Sequence, residues 1–322
     1  MALKIAVTGA TGFAGQHVMR TLLAGGHQVR ALARNPQRLA GVGRVEVVAG
    51  DLHQPESLGQ LVDSVDAVVH LAGAIAARSR AEFHATNVEG TKSLAAAAAA
   101  AGVRRIVHVS SLAAREPQLS AYGESKRTAE AVFAGNPGAV IIRPPAIYGP
   151  GDRGTLPLIR QLLNPVALIP SHVAARFSLI YVQDLADIIA TLAGDERTGI
   201  HEVHDGKAGG YGWHDLVALA RVQEGVPRRL TYLPKLLPLA VAYAVTPLQL
   251  VSTSLLMITP GKIRELYHGD WTCDGGLTAS RPTSFADGFA CTVAWYRKEE
   301  WLPPRRNADK SRTSTKYGES AE

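Results

Sequence analysis

Tyr122 and Lys126 close the run Tyr122-Gly123-Glu124-Ser125-Lys126, a spacing that sets both side chains on one face of a helix. A free phenol titrates at about pH 10, too high for efficient proton transfer at neutral pH, and a neighbouring ammonium stabilises the phenolate and lowers that value. The pair suits acid–base work at an oxygen, the tyrosine moving the proton and the lysine tuning it. Chance yields such pairs readily in a chain with nine tyrosines, so placement carries the inference. The pair follows a β-rich run ending in Ser110-Ser111, and open α/β sheets bind ligands at the carboxyl ends of their strands. Ser111 can polarise a substrate oxygen there; the competing reading is that these hydroxyls only cap a turn. His70, at the end of another apolar run, reads as a hydrogen-bonded core histidine rather than a catalyst.

A second group lies in Thr8-Gly9-Ala10-Thr11-Gly12-Phe13-Ala14-Gly15, which follows the first apolar run and opens a helical pattern. Glycines let a backbone turn tightly and approach a pyrophosphate, and the helix N-terminus offers free N–H groups and partial positive charge. Gly9, Thr11, Gly12, Phe13 and Gly15 are therefore expected to hold a diphosphate, although glycine triplets also serve ordinary turns. An acidic residue at the end of the second strand would accept a ribose 2′-hydroxyl. Here no acidic residue precedes Glu46, and Arg34 stands at that strand end with Arg30 and Arg38 nearby. A guanidinium fork binds a 2′-phosphate through charge-assisted hydrogen bonds. NADP(H) is therefore favoured through Arg34; NAD(H) stays open if Arg34 only caps a loop.

The elements that must position these groups follow from the hydrophobic pattern. Six apolar, β-rich runs at 5–8, 28–33, 45–48, 67–71, 105–110 and 139–142 alternate with helical stretches, the rhythm of βαβ units around a parallel sheet buried on both faces. The alanine-rich run 94–101 is a helix that can pack closely on that sheet. Gly149-Pro150-Gly151-Asp152 breaks the rhythm, so residues 1–150 and about 176–200 are assigned to a nucleotide-binding domain. Residues 151–175 and 201–302 form a smaller, mostly helical substrate lobe, and polar residues 303–322 a disordered tail. A further strand and helix within 178–193 are expected to return to the core. Residues 236–258 carry no charge. They are read as a buried helical pair, with a lipid- or substrate-touching surface, or a membrane span, as alternatives.

At 322 residues, with 46% hydrophobic and 19% charged residues, the chain can bury a large core. The net charge of +6 is scattered, so a solvated surface is favoured over nucleic-acid binding. Two cysteines, Cys273 and Cys291, lack metal-like spacing, and no export signal is visible; a cytoplasmic location, with membrane association as an alternative, is expected.

In order, the motifs Thr8-Gly9-x-x-Gly12-x-x-Gly15, Gly50-Asp51-Leu52, His70-Leu71-Ala72-Gly73, Asn87-Val88-x-Gly90-Thr91, Ser110-Ser111, Tyr122-x-x-x-Lys126, Arg143-Pro144 and Tyr148-Gly149-Pro150-Gly151 resemble the extended short-chain dehydrogenase/reductases. That group includes nucleotide-sugar epimerases and hydroxysteroid dehydrogenases. The resemblance implies an α/β, Rossmann-type doubly wound parallel sheet and an NAD(P)-dependent dehydrogenase or reductase acting through Ser111, Tyr122 and Lys126. It further implies that Asp51 and Leu52 meet adenine, that Leu71, Ala72 and Gly73 line ribose and pyrophosphate, that Asn87 supports the active-site helix, and that Pro144 sits by nicotinamide. A homodimer is implied as well.

Departures narrow the substrate. Ser111 is followed by Leu112-Ala113-Ala114 rather than the acidic pair of nucleotide-sugar dehydratases. Phe177, with Arg176 one place displaced, stands where sugar epimerases often carry a diphosphate-binding arginine seven residues before Asp184. The ending Gly288-Phe289-x-x-Thr292-x-x-Trp295-Tyr296 resembles the 3-beta-hydroxysteroid dehydrogenase-like branch, so an apolar alcohol or carbonyl substrate is expected, with the apolar lobe residues forming either its pocket or the lobe's own core. A nucleotide-sugar epimerase is the alternative enzyme. The non-enzymatic alternative is a nucleotide-binding accessory subunit like that of respiratory complex I.

Overall fold

Strands flanked by helices on both faces must be apolar on both faces; the six predicted runs all become strands, five of them largely buried and β3 a mostly exposed edge: β1 (Lys4–Thr8), β2 (Gln28–Ala33), β3 (Glu46–Ala49), β4 (Ala67–His70), β5 (Arg105–Val109) and β6 (Ala139–Arg143). The computed structural model describes residues 2–224, 229–246 and 258–304. Four more short strands, β7 (Ala146–Tyr148), β8 (Val166–Ile169), β9 (Arg176–Phe177) and β10 (Leu179–Tyr181), precede a seventh strand of the main sheet, β11 (Gly199–Glu202). The sheet order is β11-β6-β5-β4-β1-β2-β3, parallel throughout. The order reverses beside β1, which opens a crevice at the strands' carboxyl ends.

One face is covered by α1 (Phe13–Ala24), through Val18, Met19 and Leu22. The opposite face is covered by α2 (Pro55–Val62), with Leu58 and Leu61, and by α4 (Gly90–Ala100), with Leu94 and Ala98. A short helix, α3 (Arg80–His84), and a wide turn over Ala85–Glu89 lead into α4, and α5 (Ala121–Ala131) carries the tyrosine–lysine pair. After α6 (Leu156–Leu163), the helix α7 (Val182–Ala193) packs on α1, its Ile189 and Leu192 joining the core.

One pairing and one boundary differ from the sequence reading. The strand expected within 178–193 does form as β10, but it pairs with β7 outside the main sheet. The strand that does extend the sheet, β11, runs across residue 200 to Glu202 beside β6. As a half-exposed edge strand with one aliphatic residue, Gly-Ile-His-Glu, it carries no apolar signal.

The lobe combines α6 and α8 (Trp213–Glu224) with α11 (Phe285–Lys298) around one aromatic core containing Trp213, Phe285, Phe289 and Tyr296. Small sheets join it: β12 (Tyr211–Gly212) and β14 (Asp270–Trp271) flank β9, and β13 (Arg229–Tyr232) pairs with β8. Gly288 is small because a Cβ there would lie 2.4 Å from the Tyr148 hydroxyl. The Gly288–Tyr296 signature thus builds the lobe's own core.

The buried helical pair expected over 236–258 is corrected where it is described. Leu236–Val245 forms α9, yet Ala242 is its one buried residue, while Leu236, Leu237, Val241 and Tyr243 are exposed. The helix rests against α10 (Pro260–Leu266) rather than in a core. Residues 247–257, and the predicted tail from 305 onward, lie outside the described residues. Among the described residues no helix is long and apolar enough to cross a membrane.

Candidate active site

The turn between β1 and α1 is built by absence of side chains. Gly9 adopts φ +74, and a Cβ there would meet the Ala72 amide at 2.6 Å; a Cβ on Gly15 would fall 2.1 Å from the Gly9 carbonyl. Exposed Gly12 begins α1 without a side-chain cap, which leaves the helix N–H groups to a ligand. Thr11 and Phe13 flank it, half-buried. Leu71 and Ala72 close the other wall, their amides bonded to the Thr8 carbonyl (3.2 Å) and hydroxyl (3.3 Å). Gly73 continues the wall as an exposed strip. This cradle, with glycines that admit close backbone approach and a helix start without a side-chain cap, fits a dinucleotide.

At the end of β2, Arg34 is exposed and has no hydrogen bond or ion pair among the described residues. Arg30 is spent elsewhere: buried, it binds the Gln60 (2.8 Å) and Asp63 (2.6 Å) carbonyls and pairs with Glu46. Asp51 turns its carboxylate back to the His53 amide (2.8 Å). Leu52 is buried against Gly90, so its side chain serves packing beneath α4.

Ser120 caps α5 by accepting from the Gly123 amide (2.9 Å), which starts the helix where Tyr122 and Lys126 share its inward face. Ser111 accepts from the Ala113 amide (3.2 Å), and its hydroxyl lies close enough to Tyr122 to lower the phenol's pKa. It therefore caps a turn, the competing reading of this hydroxyl, and also approaches the phenol. Ser110 is occupied by Glu130 (2.6 Å).

Lys126 and Tyr122 are both shifted from their ordinary values by burial. Lys126 Nζ donates to the Val109 carbonyl (2.8 Å), and burial lowers its pKa to about 8, opposed by the Glu130 carboxylate. Burial pushes Tyr122 up to about 12; the Ser111 hydrogen bond pulls it down and the Glu265 carboxylate pushes it further up. Desolvation of the phenolate is the largest of these effects, so Tyr122 is a neutral phenol across the physiological range.

Supporting groups hold this arrangement. Asn87 accepts from the Ala74 amide (2.7 Å) and donates to the Ala74 carbonyl (3.1 Å) and the Ser125 hydroxyl (2.8 Å), tying the Gly73 strip to α5. A Cβ on Gly73 would lie 3.7 Å from Lys126 Nζ, so cradle and catalytic helix meet there. Pro144 is buried, its carbonyl accepting from the Leu112 amide (2.8 Å) beside Ser111. His70 bridges the Thr8 (2.7 Å) and Thr91 (2.9 Å) hydroxyls, and burial, reinforced by the Lys126 ammonium, lowers its pKa to about 3. It is a neutral structural bridge.

Three groups escaped the sequence reading. Glu130 forms a buried bidentate pair with Arg143 (2.8 and 2.6 Å) that locks α5 to the end of β6; its position one turn beyond Lys126 was the available signal. Glu265, from α10, accepts from Ser120. Arg115 donates to the Thr272 (2.6 Å) and Asp270 (2.7 Å) carbonyls of the lobe. Both contacts span long stretches of chain and leave no local trace. Arg176 is engaged with Asp215 (3.2 Å) and the Gly209 and Gly210 carbonyls (3.1 and 3.0 Å).

Residues 5–204 match the model of the NAD dependent epimerase/dehydratase family. The chain is 39% identical over 305 residues to the ceramide reductase of Caulobacter vibrioides, covering 93% of this chain and 96% of that protein. It is 29% identical over 238 residues to the 3 beta-hydroxysteroid dehydrogenase/Delta 5-->4-isomerase of Mycobacterium tuberculosis, 64% of this chain and 63% of the relative. Among solved structures, DesIV, a dTDP-glucose 4,6-dehydratase from Streptomyces venezuelae with NAD and TYD bound, superposes with a TM-score of 0.66 at 25% identity over 94% of this chain and 100% of DesIV.

Proposed function

The chain belongs to the NAD dependent epimerase/dehydratase family, and from that premise we propose that it reduces a ketone on a long-chain, ceramide-like lipid to the secondary alcohol at the expense of NADPH. Its class, an NAD(P)-dependent dehydrogenase/reductase of the extended short-chain type, follows from its relatives; the nucleotide preference and the substrate are the proposal. The observation that carries it is the Ser111–Tyr122 hydroxyl pair beside the Lys126 ammonium, at the mouth of the glycine cradle.

The residues divide the work. The β1–α1 turn and Gly73 hold the dinucleotide, and the unpaired Arg34 takes the 2′-phosphate. A bound dihydronicotinamide would supply a hydride to the carbonyl carbon. Ser111 donates to the ketone oxygen and polarises it. Tyr122, held neutral by burial, gives its proton to that oxygen as the C–H bond forms, so ketone, NADPH and one proton become alcohol and NADP. Lys126, fixed on the Val109 carbonyl, supplies the positive charge that stabilises the tyrosinate until a solvent proton restores it. Because Arg176 is engaged with Asp215 and backbone carbonyls, a sugar-diphosphate substrate would lack that anchor, and the ceramide reductase relative supports a lipid.

The test begins with paired NADPH and NADH titrations, followed by turnover of long-chain ketones. NADPH preference and ketone-dependent oxidation are expected; tight, non-exchanging NAD without net oxidation would instead favour epimerisation. Tyr122→Phe should keep nucleotide affinity and lose turnover by at least about a hundredfold. A variant that turns over normally would remove Tyr122 from the mechanism.

A further inference from the structure

We propose that α9 and its cationic rim form a docking surface for an anionic phospholipid bilayer, placed to present membrane-borne substrate to the catalytic helix. The helix reads Leu-Leu-Pro-Leu-Ala-Val-Ala-Tyr-Ala-Val, with no charge and a single hydroxyl. A helix apolar on every side belongs in a protein core or in lipid. Yet Leu236 is 78% exposed, Leu237 60%, Val241 52% and Tyr243 55%.

The surroundings identify the occupant. Lys235 precedes the helix and Arg264 lies beside it on α10, both exposed. Among the described residues neither pairs with a carboxylate, and Arg264 donates to the Tyr243 hydroxyl (3.1 Å). The nearest acid on α10, Glu265, is buried and bound to Ser120 and Lys262. Exposed aliphatics rimmed by cations, with a tyrosine between them, match an anionic headgroup layer over acyl chains. A second copy of the chain fits less well, because a two-fold contact through this patch would bring the cationic rims of the two copies together. Among the described residues the helix is ten residues long, short of a bilayer span, and we place it in the interface.

The location ties the surface to the active site. α9 rests on α10, and α10 is seated on the start of α5: Glu265 accepts from Ser120, and a Cβ on Gly261 would lie 2.9 Å from that of Ser120. One helix therefore separates the apolar surface from the segment that carries Tyr122. The purpose assigned to the surface rests on the lipid-ketone reading, so the test uses no substrate.

The full chain is sedimented with phosphatidylcholine vesicles, with and without phosphatidylglycerol, at low and high salt. Binding to the anionic vesicles that weakens with salt is expected. Leu237→Asp with Val241→Asp should reduce it by about tenfold or more, with thermal midpoint and NADPH affinity retained. Lys235→Glu, which alters only an exposed side chain, should weaken it by about fivefold. No vesicle binding by the parent, binding indifferent to Lys235→Glu, or a dimer broken by the double substitution in place of vesicle binding would each overturn the proposal. If vesicles bind but no lipid ketone is reduced, the activity assignment fails alone.

Discussion

Two side chains at the site behave unlike their free counterparts, and each has a measurable consequence. Burial lowers Lys126 from 10.5 to about 8. The folded state therefore bears the cost of a buried ammonium below about 8, and that cost disappears as pH rises past the ordinary lysine value. The same deprotonation removes the charge that supports Tyr122, so kcat/KM for the nucleotide should fall above about pH 8. Lys126→Arg keeps its charge and should move that limb upward; an unmoved limb would assign it to another group. Tyr122, raised to about 12, is too basic to set it. Arg34, exposed and unpaired among the described residues, bears on cofactor choice. Arg34→Ala should cut the NADPH-over-NADH preference by about tenfold to a hundredfold, the worth of charge-assisted hydrogen bonds. Equal weakening of both nucleotides would count against its role.

The β1–α1 unit depends on the close approach of Gly15 to the Gly9 carbonyl. In Gly15→Ala the added methyl would fall 2.1 Å from that oxygen, forcing the turn apart. A loss of about 1–3 kcal/mol in stability is expected, together with a larger loss of nucleotide affinity than of stability; denaturation and titration of the same variant separate the two. α5 is held differently. Its inner face carries Lys126 and Glu130, one turn apart, and the Glu130–Arg143 pair fixes the helix to the strand that ends at Pro144. The catalytic helix is thus anchored by buried ionic contacts at one end and by the Ser120 cap at the other.

Across the molecule, the lobe meets the nucleotide-binding half through a few long-range contacts near the site. Arg115, in the turn after Ser111, reaches the Thr272 and Asp270 carbonyls and lies over Trp271 (5.8 Å to the ring). Arg115→Ala should raise KM for the ketone by about tenfold through lost charged hydrogen bonds, while NADPH affinity stays unchanged. A fall in NADPH affinity of the same size would mean that the contact orders the nucleotide half. Such contacts position the lobe over the sheet edge, where Ser111 and Tyr122 wait.

Six strands, the glycine turn and the tyrosine–lysine pair were legible in the sequence because each is local: a period, a run of apolar residues, or a spacing fixes it. The place of Arg34 at the end of β2 was legible too, from the apolar run that it closes. Long-range packing decided the rest. β11 is a strand because β6 offers it an edge, α9 is exposed because among the described residues no core closes over it, and Glu265 and Arg115 reach the site from places that no local pattern marks. The protonation of the site was likewise a matter of tertiary structure. Spacing placed a lysine near a phenol, but desolvation, which exists only once the chain is folded, kept the phenol neutral and weakened the ammonium.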